Sequence, residues 1–290
     1  MLNNRGGIEA DLTVTCISSN KFRVITGSGV REHDKKHIRK HLNRTVNFKD
    51  ITEDYSCFGI FGPKSRNLLT SIFGNEFKNN TFSFGTGKKI NFKGISIWFQ
   101  RLSYVGELGW ELYIPIKDAK NIYEIIVKDG EKFKLTHAGA HAMDIMRMEK
   151  GYLHWGHDIS PGENPFEAGI GFAVKLNKEE DFIGKENLIK IKDKKNKQLV
   201  MLTLEKSEPG YPLLLHDEPI YYEGKIVGET TSGNFSFNYN KNMAFGYIKS
   251  NINIEVAKNR FFEIEVEKIK YKANLQTQSL HDPKNLLIKS

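Results

Sequence analysis

Short runs of alternating apolar and polar residues recur along the first half of the chain, with the period of strands buried on one face. Ile8 to Ile17 and Phe22 to Thr26 predict a hairpin, because these β-branched runs flank the polar turn Ser18-Ser19-Asn20-Lys21. The same alternation predicts strands at Tyr55 to Phe61, Lys89 to Gln100 and Gly109 to Ile114. Helices are predicted at Arg31 to Leu42, Lys64 to Phe73, Asp118 to Val127 and Ala138 to Glu149.

The second half of the chain has a different pattern. Residues 151–171 gather Gly, Pro, His, Trp and Asn into a loop that is too aromatic for a flexible tether. Beyond the lysine-rich stretch Lys190 to Lys197, strands follow one another at Gln198 to Glu205, Ile220 to Thr230, Met243 to Ile248 and Phe261 to Leu275. Strands with little helix between them favour a small β-barrel or sandwich. We therefore expect an α+β domain of residues 1–190 followed by a β domain of residues 191–290.

Composition and charge narrow the class of protein. Hydrophobic residues make up 39% of the chain, charged residues 27%, and the mean hydropathy is -0.47. The apolar runs are too short to cross a bilayer and the first residues lack an apolar signal core, so we expect a cytoplasmic protein with no membrane partner. The formal net charge of +8 suits an anionic partner. Because the basic residues are scattered and lack interleaved aromatic side chains, we expect an anionic small molecule, and no nucleic acid.

Common cofactor and metal motifs are absent. The chain has no GxxxxGK[ST], no GxGxxG after a strand and no GxSxG, so we expect no FAD or NAD site within it. His33, His37 and His41 share a helical spacing, but they stand among Arg, Lys and Asp and fit a solvated helix face better than a zinc site. Cys16 and Cys57 have no metal-binding spacing and are expected to be reduced thiols. No metal site is predicted.

Two carboxylates are candidates for chemistry. Asp11 stands near the start of the first strand, where it would either cap a turn or point into a site. Glu111 follows Gly106 and Gly109, which impose a tight turn, and it alternates with apolar neighbours along a strand. Its side chain is therefore expected on the polar face of that strand, where it is either exposed to solvent or directed at a ligand.

Four stretches, in the same order, resemble motifs of the glycine-cleavage T-protein (aminomethyltransferase) family. They are similar to its G-G-I-x-x-D segment, its Y-x-G-E-x-G-x-E signature, its L-R-x-E-x-x-Y…G-x-[DE] stretch and its T-S-G-x-F-S turn. The matching residues are Gly6 to Asp11, Tyr104 to Glu111, Met146 to Asp158 and Thr231 to Ser236. Ala10 replaces the first of the T-protein's paired aspartates, and His154 to Asp158 with Asn164 to Gly169 resembles the branch of dimethylglycine and sarcosine dehydrogenases.

The resemblance implies a folate-binding aminomethyltransferase-like domain followed by a small C-terminal β-barrel, with tetrahydrofolate as the cofactor. Matched position by position, it implies that Asp11 is the catalytic residue facing the reacting folate nitrogens. It implies that Tyr104 and Glu111 hold the pterin and that Arg147 lies at the pterin end. The residue types agree with these roles, since a carboxylate accepts the ring N–H and exocyclic amine of a pterin together, and tyrosine can wall in the flat ring.

The resemblance also implies a reaction, in which an iminium or formaldehyde unit from an N-methyl amine (dimethylglycine or sarcosine type) forms 5,10-methylenetetrahydrofolate. A glycine-cleavage aminomethyltransferase, another folate-dependent demethylase and a non-catalytic folate-binding or assembly subunit are the alternatives. An FAD-dependent dehydrogenase domain or subunit is the candidate partner. Gly27 stands where the family has a folate-contacting asparagine, and Phe237 follows Ser236 where proline is usual. Family members carry further residues before the G-G-I-x-x-D segment, so we expect an N-terminally truncated folate domain.

Overall fold

The computed structural model describes all residues from Met1 to Ser290, in twelve strands and six helices. The strands are β1 (Leu12–Ser18), β2 (Lys21–Thr26), β3 (Tyr55–Phe61), β4 (Gly87–Phe92), β5 (Ile95–Gln100), β6 (Gly109–Pro115), β7 (Lys197–Leu204), β8 (Pro219–Tyr222), β9 (Lys225–Ser236), β10 (Lys241–Lys249), β11 (Phe261–Val266) and β12 (Ile269–Gln276). The helices are α1 (Arg31–His41), α2 (Ser65–Phe73), α3 (Ala119–Gly130), α4 (Ala140–Lys150), α5 (Lys185–Ile191) and α6 (Ile254–Ala257). None of these helices combines the length and the apolar character that a membrane span requires.

The chain forms two compact units that are interleaved along the sequence. The first unit contains Met1–Thr13, Val24–Asp34 and Met148–Leu280. The second unit contains Val14–Arg23, Lys35–Arg147 and His281–Ser290. The division into residues 1–190 and 191–290 stays a prediction.

The second unit is built on a four-stranded antiparallel sheet with the order β3-β6-β5-β4. One face of this sheet is apolar, and its core cluster includes side chains of α2 and α3. On β6 the side chains of Trp110, Leu112 and Ile114 are fully buried, whereas the intervening Glu111 and Tyr113 are only half-buried. The predicted alternation of this strand is therefore confirmed. It places Glu111 on the face opposite the hydrophobic core.

The first unit contains a closed six-stranded barrel with the order β10-β7-β12-β11-β8-β9. All neighbouring strands are antiparallel, and inward-facing side chains such as Leu202, Ile220 and Phe262 are fully buried. Closure pairs every strand on both sides and removes the exposed edges of an open sheet. The C-terminal β-barrel that the family resemblance implied is confirmed.

Three predicted strands are in fact hairpins. The two-residue turns that divide them adopt positive φ at both positions: Lys93-Gly94 (50° and 84°), Glu223-Gly224 (51° and 75°) and Glu267-Lys268 (51° and 66°). Positive φ at both central residues matches the twist of the flanking strands, so these turns join strands closely. The predicted continuous strands were wrong at these points, and the third turn has no glycine that would have indicated it.

The first predicted strand also begins later than expected. Ile8 is buried with Ile159 and Ala168 in a small apolar cluster of the first unit, and its backbone N–H donates to the carbonyl of Glu163 at 2.9 Å. Because Ile8 is engaged with this loop, the regular ladder starts only at Leu12. The alternating pattern predicted the hairpin correctly but could not distinguish a strand from an extended loop.

Candidate functional site

The turn before Glu111 is fixed by glycines and by a helix start. Gly106 has a φ of +77°, a conformation that disfavours other residues. A Cβ on Gly109 would lie 2.2 Å from Phe61 Cδ1 and 2.7 Å from the Ile60 carbonyl oxygen, so only glycine fits between these strands. The Ser65 hydroxyl at the start of α2 donates to the carbonyl of the intervening residue 108 at 3.0 Å. These contacts fix where β6 begins, and with it the position of Glu111.

One of the two oxygens of the Glu111 carboxylate accepts a hydrogen bond from a neighbouring tyrosine. Tyr113 donates its hydroxyl to Glu111 Oε2 at 2.5 Å, and no other hydrogen bond of the protein reaches this carboxylate. Burial raises the pKa of the Tyr113 phenol above its ordinary range, and the Glu111 charge raises it further. Tyr113 therefore stays protonated and donates, while Oε1 of Glu111 remains available to a donor from a ligand.

Cys57 is the direct cross-strand neighbour of Tyr113. It is exposed at the protein surface, yet the surrounding protein partly desolvates the thiol, and this is the largest cause that raises its pKa to about 11. The charge of Glu111 adds to the rise, and a hydrogen bond with Tyr113 opposes it. The thiol is therefore neutral and unreactive near neutral pH.

Two residues of β5 complete what we call the polar sheet face, defined by Trp98, Gln100, Glu111 and Tyr113. Gln100 Oε1 accepts from Trp98 Nε1 at 3.2 Å and from the hydroxyl of Thr15 at 3.0 Å. No separate sequence signal marked Trp98 and Gln100, because the face on which they lie depends on the register between β5 and β6. Their alternate positions in a predicted strand were the only indication.

Tyr104 and Arg147 belong to the same unit as Glu111. Tyr104 lies in the turn before β6 and is half-buried. Arg147 is 1% exposed on α4, and its Nε donates to Asp144 Oδ1 at 2.8 Å. A guanidinium this deeply buried is held in one orientation, which suits a positioning role. The individual folate contacts of both residues remain predictions.

Asp11 belongs to the first unit. Its side chain reaches solvent, yet the surrounding protein partly desolvates it, and this burial is the main cause that raises the pKa of the carboxyl above its ordinary value. The amino group of Met1 opposes the rise, and the charge of Asp34 adds to it. A carboxylate with a raised pKa takes up a proton more readily than an ordinary aspartate does.

Asp34, which sequence reasoning missed, is a buried carboxylate with 1% exposure. It accepts a hydrogen bond from the Thr26 hydroxyl, and its Oδ1 lies 2.9 Å from His33 Nδ1. His33 Nε2 lies 3.3 Å from Glu9 Oε1, and the imidazole ring packs 5.1 Å from Trp155. The interpretation of His33 as part of a solvated face was therefore incomplete. No group of three or more His, Cys, Asp or Glu side chains is arranged to hold a metal ion.

Two carboxylates of the matched stretch Met146 to Asp158 accept hydrogen bonds from the matched segment Thr231 to Ser236, which forms the end of strand β9 in the structure. Asp158 is fully buried and accepts the hydroxyls of Thr231 at 2.6 Å and Ser232 at 2.7 Å. Glu149 is 2% exposed and accepts the hydroxyl of Ser236 at 2.6 Å. Hydrogen bonds to buried charged groups contribute about 1.5–3 kcal/mol each. These motif residues therefore fix the architecture of the first unit.

Comparisons with known proteins agree with this arrangement. The sequence matches the family models "GCVT N-terminal domain" over residues 1–178 and "Glycine cleavage T-protein C-terminal barrel domain" over residues 197–282. It is 37% identical over 252 residues to "Dimethylglycine dehydrogenase, mitochondrial" of Homo sapiens, covering 86% of this chain and 29% of that protein. It is 32% identical over 310 residues to "Sarcosine dehydrogenase, mitochondrial" of Mus musculus, covering 100% of this chain and 33% of that protein.

The chain thus spans about a third of the length of these two relatives. Among solved structures, the glycine cleavage system aminomethyltransferase T from Bartonella henselae superposes with a TM-score of 0.81 at 22% identity, covering 98% of this chain and 75% of that chain. This likeness concerns the fold, while the two family models cover both halves of the sequence. The chain belongs to the glycine-cleavage T-protein family of folate-dependent aminomethyltransferases.

Proposed function

We propose that this chain binds tetrahydrofolate at the polar sheet face and joins to it a one-carbon unit from an N-methyl amine of the dimethylglycine or sarcosine type. The observation that carries the proposal is the Glu111 carboxylate, which is half-buried and keeps Oε1 without a donor from the protein. A pterin presents a ring N–H beside an exocyclic amine, and a carboxylate accepts such a pair together. Tyr104 is the proposed wall of the pterin site, and Arg147 is proposed to lie at the pterin end.

The reaction balances without an oxidant when the one-carbon unit arrives as formaldehyde or as an iminium. When formaldehyde is the donor, its carbon forms bonds to N5 and N10 of tetrahydrofolate. The formaldehyde oxygen leaves as water with the two hydrogens that N5 and N10 carried. From an iminium, the same two bonds form, the amine leaves with one hydrogen, and the second hydrogen is released as a proton. We assign the uptake of that proton to Asp11, since its raised pKa suits this role.

The donor amine would be oxidised by a different domain or subunit, before its one-carbon unit reaches this chain. Conversion of an N-methyl amine to its iminium needs a two-electron acceptor, and an FAD-dependent dehydrogenase domain or subunit is the partner class that fits. The two dehydrogenases similar to this chain are about three times its length, which leaves room in them for another domain. A cytoplasmic location is likewise a proposal, from the sequence alone.

A second candidate is a glycine-cleavage aminomethyltransferase, which the matches to the two family models favour. We prefer the N-methyl amine donor because Ala10 replaces the first of the paired aspartates and because of the identity to the two dehydrogenases. Activity with each oxidised donor amine, compared with a lipoyl-bound aminomethyl donor, distinguishes the two candidates.

Titration calorimetry with tetrahydrofolate tests the proposal directly. Binding to the folded state alone raises the melting temperature by mass action, so saturating tetrahydrofolate should give both a binding heat and a higher Tm. FAD and NAD serve as controls and should give neither. Absence of both effects at millimolar tetrahydrofolate would refute the proposal.

A further inference from the structure

The Arg23 guanidinium lies on strand β2, stacked among three aromatic rings. Its central carbon is 4.6 Å from the Trp98 ring centroid, 5.7 Å from that of Tyr55 and 5.8 Å from that of Tyr113. Nη1 is buried and has no hydrogen-bond partner in the protein. The aromatic rings therefore hold the guanidinium in place, but they leave one of its strongest donors unused.

An unused buried donor of this kind costs free energy. A buried polar nitrogen without a partner loses its hydration and gains nothing in return, and the penalty is larger when the group is charged. Burial lowers the pKa of Arg23 from its ordinary value, but an arginine keeps its charge in a protein. The aromatic rings contact the flat face of the guanidinium. The N–H groups of Nη1 at its edge still require a hydrogen-bond acceptor.

Arg23 and Glu111 share Tyr113 as a neighbour. Tyr113 contacts the Arg23 guanidinium with its ring and the Glu111 carboxylate with its hydroxyl. On a pterin, the ring N–H and amine that suit Glu111 lie beside a ring carbonyl oxygen that suits a guanidinium.

We propose that Arg23 donates a hydrogen bond from Nη1 to an oxygen of the folate bound at the polar sheet face, and so helps to select and orient this substrate. The inference rests on the proposed folate binding. Two oxygens share the required chemistry, the ring carbonyl and the glutamate carboxylate. The ring carbonyl is the expected acceptor, because it lies beside the donors that suit Glu111 and because Tyr113 contacts both Arg23 and Glu111. A ligand without glutamate distinguishes the two oxygens.

A purely structural role for Arg23 predicts different behaviour. If the guanidinium only fastened the hairpin to Trp98, its loss would lower the melting temperature and leave the affinity of the folded protein unchanged. If only the positive charge mattered, any nearby cation would serve equally. Lys21 is exposed on the same strand, two residues away, and is the matched control for the loss of one charge.

The experiment measures the Kd of tetrahydrofolate and of tetrahydropteroate, which lacks the glutamate, for wild type, Arg23→Met, Arg23→Lys and Lys21→Met. We expect Arg23→Met to weaken both ligands by about 10- to 100-fold, the scale of a hydrogen bond to a charged group. Lys21→Met should bind both ligands as wild type does. Melting curves without ligand report any loss of folding. If Arg23→Met is unfolded, the Kd values of Arg23→Lys, which keeps a cation over the rings, are used in its place.

Each outcome bears on the proposal. Equal weakening of both ligands supports it and identifies the ring oxygen, while weakening of tetrahydrofolate alone supports it and identifies the carboxylate. Wild-type affinity in a folded Arg23→Met or Arg23→Lys, or equal weakening in Lys21→Met, overturns the role of Arg23 and leaves folate binding standing. Failure of wild type to bind either ligand overturns the folate proposal and this inference together.

Discussion

The hydroxyl of Tyr113 donates a hydrogen bond to the Glu111 carboxylate at 2.5 Å, between two side chains that point to the same face of strand β6. The bond restricts the carboxylate before any ligand arrives. A group that is oriented in advance loses less conformational entropy when it binds. The pair therefore supplies an acceptor in a fixed position on the polar sheet face.

Glu111→Gln replaces one carboxylate oxygen with an amide donor. Because the pterin edge presents two donors, one of them would then face another donor. We expect the affinity for tetrahydrofolate to fall by about 1.5–3 kcal/mol, as for hydrogen bonds to charged groups. Calorimetry checks this loss, with Glu124→Gln, an exposed glutamate on α3, as the control of equal charge change. Equal affinities in the two variants would mean that Glu111 does not contact the ligand.

Alkylation of Cys57 reports on occupancy of the same face. Because the pKa of the thiol is raised to about 11, the thiolate is scarce at pH 8, and the alkylation rate should climb steeply as the pH approaches 11. Both cysteines are exposed, so tetrahydrofolate bound at this face should slow the reaction of Cys57 and leave that of Cys16, on β1, unchanged. Peptide mass spectrometry separates the two sites. Equal protection of both cysteines, or of neither, would argue against binding at this face.

Asp34→Asn tests the electrostatics around Asp11. Loss of the neighbouring negative charge favours ionised Asp11, so its pKa should fall. Burial is the larger cause of the shift, and the pKa should therefore stay above about 3.9, the ordinary value for aspartate. Carbon-detected NMR titration of Asp11 measures the change, with the exposed Asp193→Asn as the control. An unchanged Asp11 pKa in Asp34→Asn would contradict the proposed influence of the Asp34 charge on Asp11.

Asp158→Ala tests the connection between the matched motifs in the first unit. The hydroxyls of Thr231 and Ser232 and the backbone N–H of His154 would lose their shared buried acceptor. We expect the free energy of unfolding to fall by about 2–5 kcal/mol, since several buried donors are left unpaired. Denaturant unfolding measures it, with the exposed Asp193→Ala as the control. A loss no larger than in the control would show that water replaces the acceptor at little cost.

Strands such as β6 and β12 could be predicted because alternating burial leaves a direct trace in the sequence. Trp110 and Leu112 are buried where the pattern placed them, and Glu111 lies on the opposite face. The hairpin at Glu267-Lys268 could not be predicted, because positive φ in residues other than glycine depends on the strands around them. Local pattern therefore predicts the period of an element better than its ends.

The candidate site was predictable only where it lies within one motif. Glu111 and Gly109 belong to a recognisable string, and the close approach of Phe61 explains the glycine. Arg23 gave no such signal, because it acquires its aromatic surroundings from residues distant in sequence. Trp98, for example, contacts Arg23 although it lies 75 positions later in the chain.

The rate of 5,10-methylenetetrahydrofolate formation, with and without the Asp11 carboxylate, tests the central claim most directly. Formaldehyde or an oxidised donor amine is supplied with tetrahydrofolate, and the uncatalysed condensation is measured in parallel. A carboxylate that acts mainly in the transition state contributes little to ground-state binding. Asp11→Asn should therefore keep folate affinity within a few-fold and slow the transfer by about 10²-fold or more, the usual scale for a positioned acid–base group. Wild type no faster than the uncatalysed reaction would contradict one-carbon transfer by this chain, and a folded Asp11→Asn as fast as wild type would contradict the role of Asp11.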